Sequence, residues 1–188
     1  CLYLLALHLG ELTGSLPAED LAQRLQDLAR LPHLVDVALD GRDKIEQLAN
    51  RYIGADHFLF MGRGAMYPIA LEGALKLKEV SYVHAEGYAA GEMKHGPIAL
   101  IDARMPTFAL APAGELKDKM AGNVEEIKAR NGDIIGLLTT EDTTLVDRVD
   151  HALFVPEVPS PLLPIVAAVP MQLFAYYMGV QRGADVDQ

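Results

Sequence analysis

The sequence holds a single cysteine, Cys1, in 188 residues. One cysteine excludes an internal disulfide framework and any cysteine-cluster metal site, and it fits a reducing cytoplasm. Basic residues are also scarce: 16 lysines and arginines stand against 26 aspartates and glutamates, a formal net charge of −10. A chain that acidic is not built to grip a nucleic-acid backbone by bulk electrostatics, so any phosphate it binds is held locally. Internal repeats and low-complexity tracts are missing. The apolar start has no basic region before it, so it does not read as a secretory signal. One stretch, residues 162–180, is long enough to weigh as a membrane span. Pro164, Pro170 and Gln172 interrupt it, and it reads as a buried core or interface helix instead. The expectation is therefore no nucleic acid and no membrane among the partners.

What is present supports a core. Hydrophobic residues make up 51% of the chain, enough for a sizeable core, and the length suits one domain with an appendage or two small ones. Cys1 occupies a position where a cysteine can act as a nucleophile with its own amine as base. However, Leu2-Tyr-Leu-Leu-Ala-Leu7 follows like a helix interior and no initiator Met precedes it, so Cys1 reads as an internal residue of a longer chain. Residues 2–9 read as the end of a helix closed by Gly10 and Gly14. A second helix starts near Pro17, with Glu19 and Asp20 in its first turn, and runs to about Leu31, before Pro32. A third covers residues 43–52.

The pattern then changes. Short apolar runs at 57–61, 107–111, 134–138 and 151–155 alternate with helical stretches at 68–82, 115–130 and 162–181. Short apolar strands alternating with helices predict a parallel sheet with crossover helices, hence a three-layer α/β sandwich. The expected division is a helical segment, residues 1–54, followed by an α/β domain, residues 55–188.

In such a sheet, ligands bind beyond the carboxyl ends of the strands. The loop Gly62-Arg63-Gly64 falls there. It lacks the third glycine of a dinucleotide fingerprint and the lysine of a P-loop, so no nucleotide cofactor is expected. Arg63 reads either as a ligand-binding residue or as a solvated arginine in a tight turn. On the next helix Glu72, Lys76 and Glu79 fall at i, i+4 and i+7 on one face, opposite Ala70, Ala74, Leu77 and Ser81. Spacing leaves two readings open. Glu72 and Lys76 form the usual exposed helix pair, worth about 0.2–0.5 kcal/mol. Alternatively, a carboxylate beside an ammonium serves as a general base whose charge state the lysine tunes. The segment from His84 to Pro97 is small, polar and glycine-rich, and reads as a long irregular stretch of the kind that carries function. His95 precedes a rigid Gly96-Pro97 corner. His84, His95 and nearby acids lack any recognised metal-ligand spacing, so no metal is expected.

Taken together, these segments carry a resemblance. Ala70-Leu-Glu-Gly-Ala-Leu-Lys-Leu-Lys-Glu-Val-Ser-Tyr82, then His84-Ala-Glu86, then Gly91-Glu-Met-Lys-His-Gly-Pro97 resemble the signature of the isomerase domain of the glucosamine-6-phosphate synthases. These are the isomerizing glutamine–fructose-6-phosphate aminotransferases. Phe60-Met-Gly-Arg-Gly-Ala-Met-Tyr-Pro68 and Gly183-Ala-Asp-Val-Asp-Gln188 are similar too, so the resemblance runs from about His57 to Gln188. It implies the sugar-isomerase (SIS) fold, with residues 1–54 resembling the last helix of a first lobe plus a linker. It implies that Glu79 moves a proton between the first two sugar carbons, that Lys76 assists, and that His95 opens the sugar ring across a dimer interface. Glu72 matches a polar position of the same site. The implied partners are sugar phosphates, fructose 6-phosphate and glucosamine 6-phosphate, and a second copy of the chain, in the cytoplasm, with no cofactor.

Two departures limit what the chain is expected to do alone. The family's Schiff-base lysine lies in a tail beyond Gln188. Its sugar-phosphate cradle is a serine- and threonine-rich loop, and the corresponding loop here reads Ala111-Pro-Ala-Gly114. The chain by itself is therefore expected to be inactive. Two other functions share the pattern: a deglycase or amino-sugar isomerase acting on fructosamine 6-phosphates, and a non-catalytic sugar-phosphate sensor. Retention of both Glu79 and His95 argues against the sensor.

Overall fold

The computed structural model describes residues 1–140 and 142–187. Four helices come first: α1 (Leu2–Leu12), α2 (Ala18–Ala29), α3 (Leu31–Leu39) and α4 (Arg42–Arg51). Strands and helices then alternate as β1 (His57–Gly62), α5 (Met66–Ser81), β2 (His84–Ala89), β3 (Thr107–Leu110), α6 (Lys117–Lys128), β4 (Ile134–Thr139), β5 (His151–Val155) and α7 (Leu163–Gln181). Two 3-10 turns, Ala90–His95 and Pro97–Leu100, lie between β2 and β3.

All strand pairings are parallel, and the order is β2-β1-β3-β4-β5. Period-two alternation sorts the side chains onto two faces. Phe58, Phe60, Phe108, Leu110, Ile135, Leu137, Leu153 and Val155 face one layer, formed by α3, α4, α5 and α7. Leu59, Met61, Ala109, Ile134, Leu138 and Ala152 face the other, formed by α6 and the turn after β2. Both faces are covered, which is why the strands read as continuous apolar runs rather than as alternation. Phe60 stacks on Phe108 with ring centroids 4.6 Å apart, and Phe174 of α7 meets Phe108 edge-on at 4.9 Å. This is the three-layer α/β sandwich that the alternation predicts.

The apolar length of α7 goes into the core. Val166, Ala167, Pro170, Met171, Phe174, Ala175 and Met178 are buried against the sheet, α5 and α4. Helices α3 and α4 join the same layer through Leu34, Ala38, Ile45, Leu48, Ala49 and Tyr52. In contrast, α1 leaves Leu2, Leu4, Leu5, Leu9 and Leu12 exposed.

Two elements differ from the sequence reading. Pro32 does not end a helix; it occupies the first turn of α3, where its missing N–H costs nothing. The first half of the supposedly irregular segment from His84 is an edge strand, β2, in register with β1 from His57↔His84 to Gly62↔Ala89. Its glycine has a packing reason. A Cβ on Gly87 would sit 2.8 Å from Leu71 Cα, so α5 crosses β2 only because that side chain is missing.

Candidate active site

The strand order 2-1-3-4-5 reverses direction between β1 and β3, and the crevice beyond that point is where open α/β sheets take ligands. A cleft of about 330 Å³ lies there, lined by Arg63, Met66, Pro112, Gly114, Lys117, Ser160 and neighbours. Among the described lining residues Ser160 carries the one hydroxyl, and the loop after β3 brings none. One of that loop's amides is already taken: Ala113 N–H donates to Thr139 Oγ1 at 2.9 Å. Lys117 is paired with Asp142 at 2.8 Å. That ammonium and the Thr144 hydroxyl hold the Asp142 carboxyl at about 2, below its ordinary value. Arg63 is half-buried at the crevice, its Nε donating to Asn123 Oδ1 at 3.0 Å. Its guanidinium lies over Gly91.

Glu72, Lys76 and Glu79 share the outward face of α5, while Ala70, Ala74, Leu77 and Ser81 are buried on the other, as the spacing predicts. The pairing within the trio is not the one that spacing puts first. Lys76 Nζ lies 2.7 Å from Glu79 Oε2, while Glu72 Oε1 accepts a hydrogen bond from Gln172 Nε2 of α7 at 3.2 Å. The hydrogen bond to Glu79, then the charge of Glu79, then that of Glu72 hold the Lys76 ammonium above its ordinary pKa. Gln172 escaped the sequence reading as a site residue. Its signal was there: it is an amide inside an apolar helical run.

One copy of the chain does not gather these residues into one site. From Met66 at the crevice to Glu79 is 13 residues of helix, about 20 Å at 1.5 Å per residue. Helix α5 also lies on one face of the sheet. The turn Ala90–His95 packs Ala90 and Met93 under the other face. His95 stands largely in solvent with its side chain 76% exposed, 4.0 Å from Glu92, and Gly96 turns the backbone after it at a φ of 152°. Glu79 with Lys76 therefore lies apart from the crevice, and the turn bearing His95 lies across the sheet from α5, with Arg63 against its Gly91. No group of three or more metal-ligating side chains gathers among the described residues.

Doubly wound parallel topology with a cleft at the switch point defines an α/β domain of the open-sheet, ligand-binding type. The chain belongs to the SIS domain family, whose profile matches residues 51–182. It is similar to glutamine–fructose-6-phosphate aminotransferase [isomerizing] of Gloeobacter violaceus, with 48% identity over 99% of this chain and 31% of that protein. It is also similar to the Thermus thermophilus protein of the same name, with 46% identity over 98% of this chain and 31% of that protein. The chain thus spans about a third of the length of these relatives. Among solved structures, the C-terminal domain of glucosamine-fructose-6-phosphate aminotransferase from Francisella tularensis superposes with a TM-score of 0.93 at 38% identity, covering 100% of this chain and 53% of that one. Glucosamine-6-phosphate deaminase from Thermotoga maritima shares the fold alone, with a TM-score of 0.60 at 21% identity over 95% of this chain and 50% of that one.

Proposed function

We propose that this chain is the second sugar-isomerase lobe of an isomerizing glutamine–fructose-6-phosphate aminotransferase. In that role it supplies the acid/base helix for converting fructose 6-phosphate and glutamine-derived ammonia to glucosamine 6-phosphate. The observation that carries the reading is the Lys76–Glu79 pair at 2.7 Å on an outward helix face, in a chain similar along nearly its whole length to proteins of that name. Glu79 is the base that moves the proton between the first two sugar carbons, because such a step needs a carboxylate poised over the carbon. The Lys76 ammonium offsets the charge of Glu79 and orients its carboxylate. Glu72 and Gln172 form the polar wall beside the pair, and Arg63 is a substrate-facing residue of the crevice.

His95 opens the sugar ring from a second copy. The separation of α5 and the His95 turn across the sheet supports this placement, since one copy cannot present both to one sugar. The phosphate is cradled outside this lobe, in keeping with a crevice whose loop brings no hydroxyl. The exposed leucines of α1 fit a surface covered by a preceding lobe, of which α1 is the last helix, whereas α3 and α4 of residues 1–54 pack into the core of this lobe. The protein works as a cytoplasmic homodimer, and this chain alone does not turn over sugar phosphate.

Subunit complementation tests the reading. In the full-length protein, Glu79→Gln and His95→Asn homodimers are each expected to lose isomerisation. Mixed dimers regain roughly a quarter to a half of the activity, because one of the two sites then carries both native residues. Mixed dimers as inactive as the parents would show that Glu79 and His95 serve the same site from one subunit, or none.

A further inference from the structure

Parallel pairing of β1 with β2 sets His57 directly opposite His84 at the amino edge of the sheet. Paired residues of neighbouring strands project from the same face, so the two imidazoles stand side by side. Their Nδ1 atoms are 3.3 Å apart and their ring planes lie at 77°. Two imidazole nitrogens on one tetrahedral zinc, each at 2.0–2.1 Å, are separated by about 3.4 Å. The pair is already spaced as a two-nitrogen chelate.

The outer groups fit as well. His84 and Glu86 point the same way from β2, and Glu86 Oε1 lies 3.6 Å from His84 Nε2, the nitrogen that faces away from His57. Tyr88, two residues on, donates its hydroxyl to the other carboxylate oxygen and fixes the group. A carboxylate on the far nitrogen of a ligating histidine sets the tautomer and makes the inner nitrogen a better donor. In the tautomer that carries the His84 proton on Nε2, the side nearer Glu86, its Nδ1 lone pair faces His57. Without a metal that lone pair accepts the His57 Nδ1–H. With one, the His57 proton moves to Nε2 through solvent and both Nδ1 lone pairs bind the ion.

We propose that His57 and His84 form a surface site for a divalent transition ion of the zinc class. Glu86 is the outer-sphere carboxylate and water completes the coordination. Both side chains are solvent-exposed, so the ion enters freely and exchanges. The site lies at the amino edge of the sheet, away from the crevice at the carboxyl edge. Its effect is mechanical: β2 is an edge strand held in the sheet by β1 alone, and a bound ion staples it there.

Zinc titration of the chain by calorimetry, with imidazole ¹⁵N spectra, tests this. It is done in a Cys1→Ser background because the exposed Cys1 thiol is a competing ligand. One equivalent is expected to move the Nδ1 resonances of His57 and His84 to metal-bound values, leave His8, His33, His95 and His151 in place, and raise the melting temperature. Glu86→Gln is expected to weaken zinc roughly 10-fold, and His57→Gln or His84→Gln by more than the roughly 100-fold limit of an outer-sphere partner. Both histidine variants should melt like the parent without zinc. Unchanged affinity in His57→Gln, saturation at another histidine, or no saturable binding overturns the site.

Discussion

Lys76 has two carboxylates within reach, one at i−4 and one at i+3, and it pairs with the second. The reason lies on another helix. Gln172 engages Glu72 from α7, 100 positions along the chain, so Lys76 is left to Glu79. Spacing within α5 made the face legible but could not choose the partner, because the choice is tertiary. Gln172→Leu should therefore let Glu72 draw Lys76 away, seen as loss of the Lys76–Glu79 contact in side-chain NMR of the chain; an unchanged contact contradicts the assignment. Asp142 offers a cleaner pH handle. Its folded pKa of about 2 lies below its ordinary 3.8, so its contribution is complete above about pH 4 and is lost as pH falls toward 2. With partial exposure discounted, that is about 1 kcal/mol. Asp142→Asn should flatten this part of the acid-unfolding curve. His151 has the same sign. Burial is the first cause lowering its pKa, and its Nε2 is buried without a partner. Stability should fall as pH drops below about 6.5, and His151→Gln should remove that slope in chemical denaturation between about pH 7 and 5.

At the scale of elements, the strands buried on both faces and the long helices were legible, since continuous apolar runs and 3.6-residue faces are strong signals. Helix α3 was not, because Pro32 breaks a helix or begins one depending on its place in the turn. Strand β2 was not, because His84-Ala-Glu-Gly-Tyr-Ala89 lacks the β-branched residues that mark strands. It is held by one neighbour, and its composition answers to α5 crossing above it. The α5–α7 contact is tighter still. A Cβ on Gly179 would meet Val80 O at 2.7 Å, a backbone atom that cannot turn aside. Gly179→Ala should therefore destabilise by about 1–3 kcal/mol through overpacking, despite the better helix propensity of alanine. Thermal unfolding measures it, and a raised midpoint would show that the two helices can part.

For the whole molecule, the same sheet that builds the core keeps the proposed site incomplete. It separates α5 from the turn bearing His95, and it opens its own crevice where no loop hydroxyl waits for a phosphate. The sequence pattern carried the residue types of the site through resemblance, but not their distribution over the two faces of the sheet, which only the topology reveals. In the proposed reading, function follows from assembly, with this lobe presenting its acid/base pair to a sugar held by other parts. The most direct measurement is the Glu79→Gln variant of the full-length protein, assayed at once for sugar isomerisation and for ammonia release from glutamine. The account predicts that isomerisation and amino-sugar formation are lost while glutamine hydrolysis survives. Amino-sugar formation at the wild-type rate in that variant would contradict it.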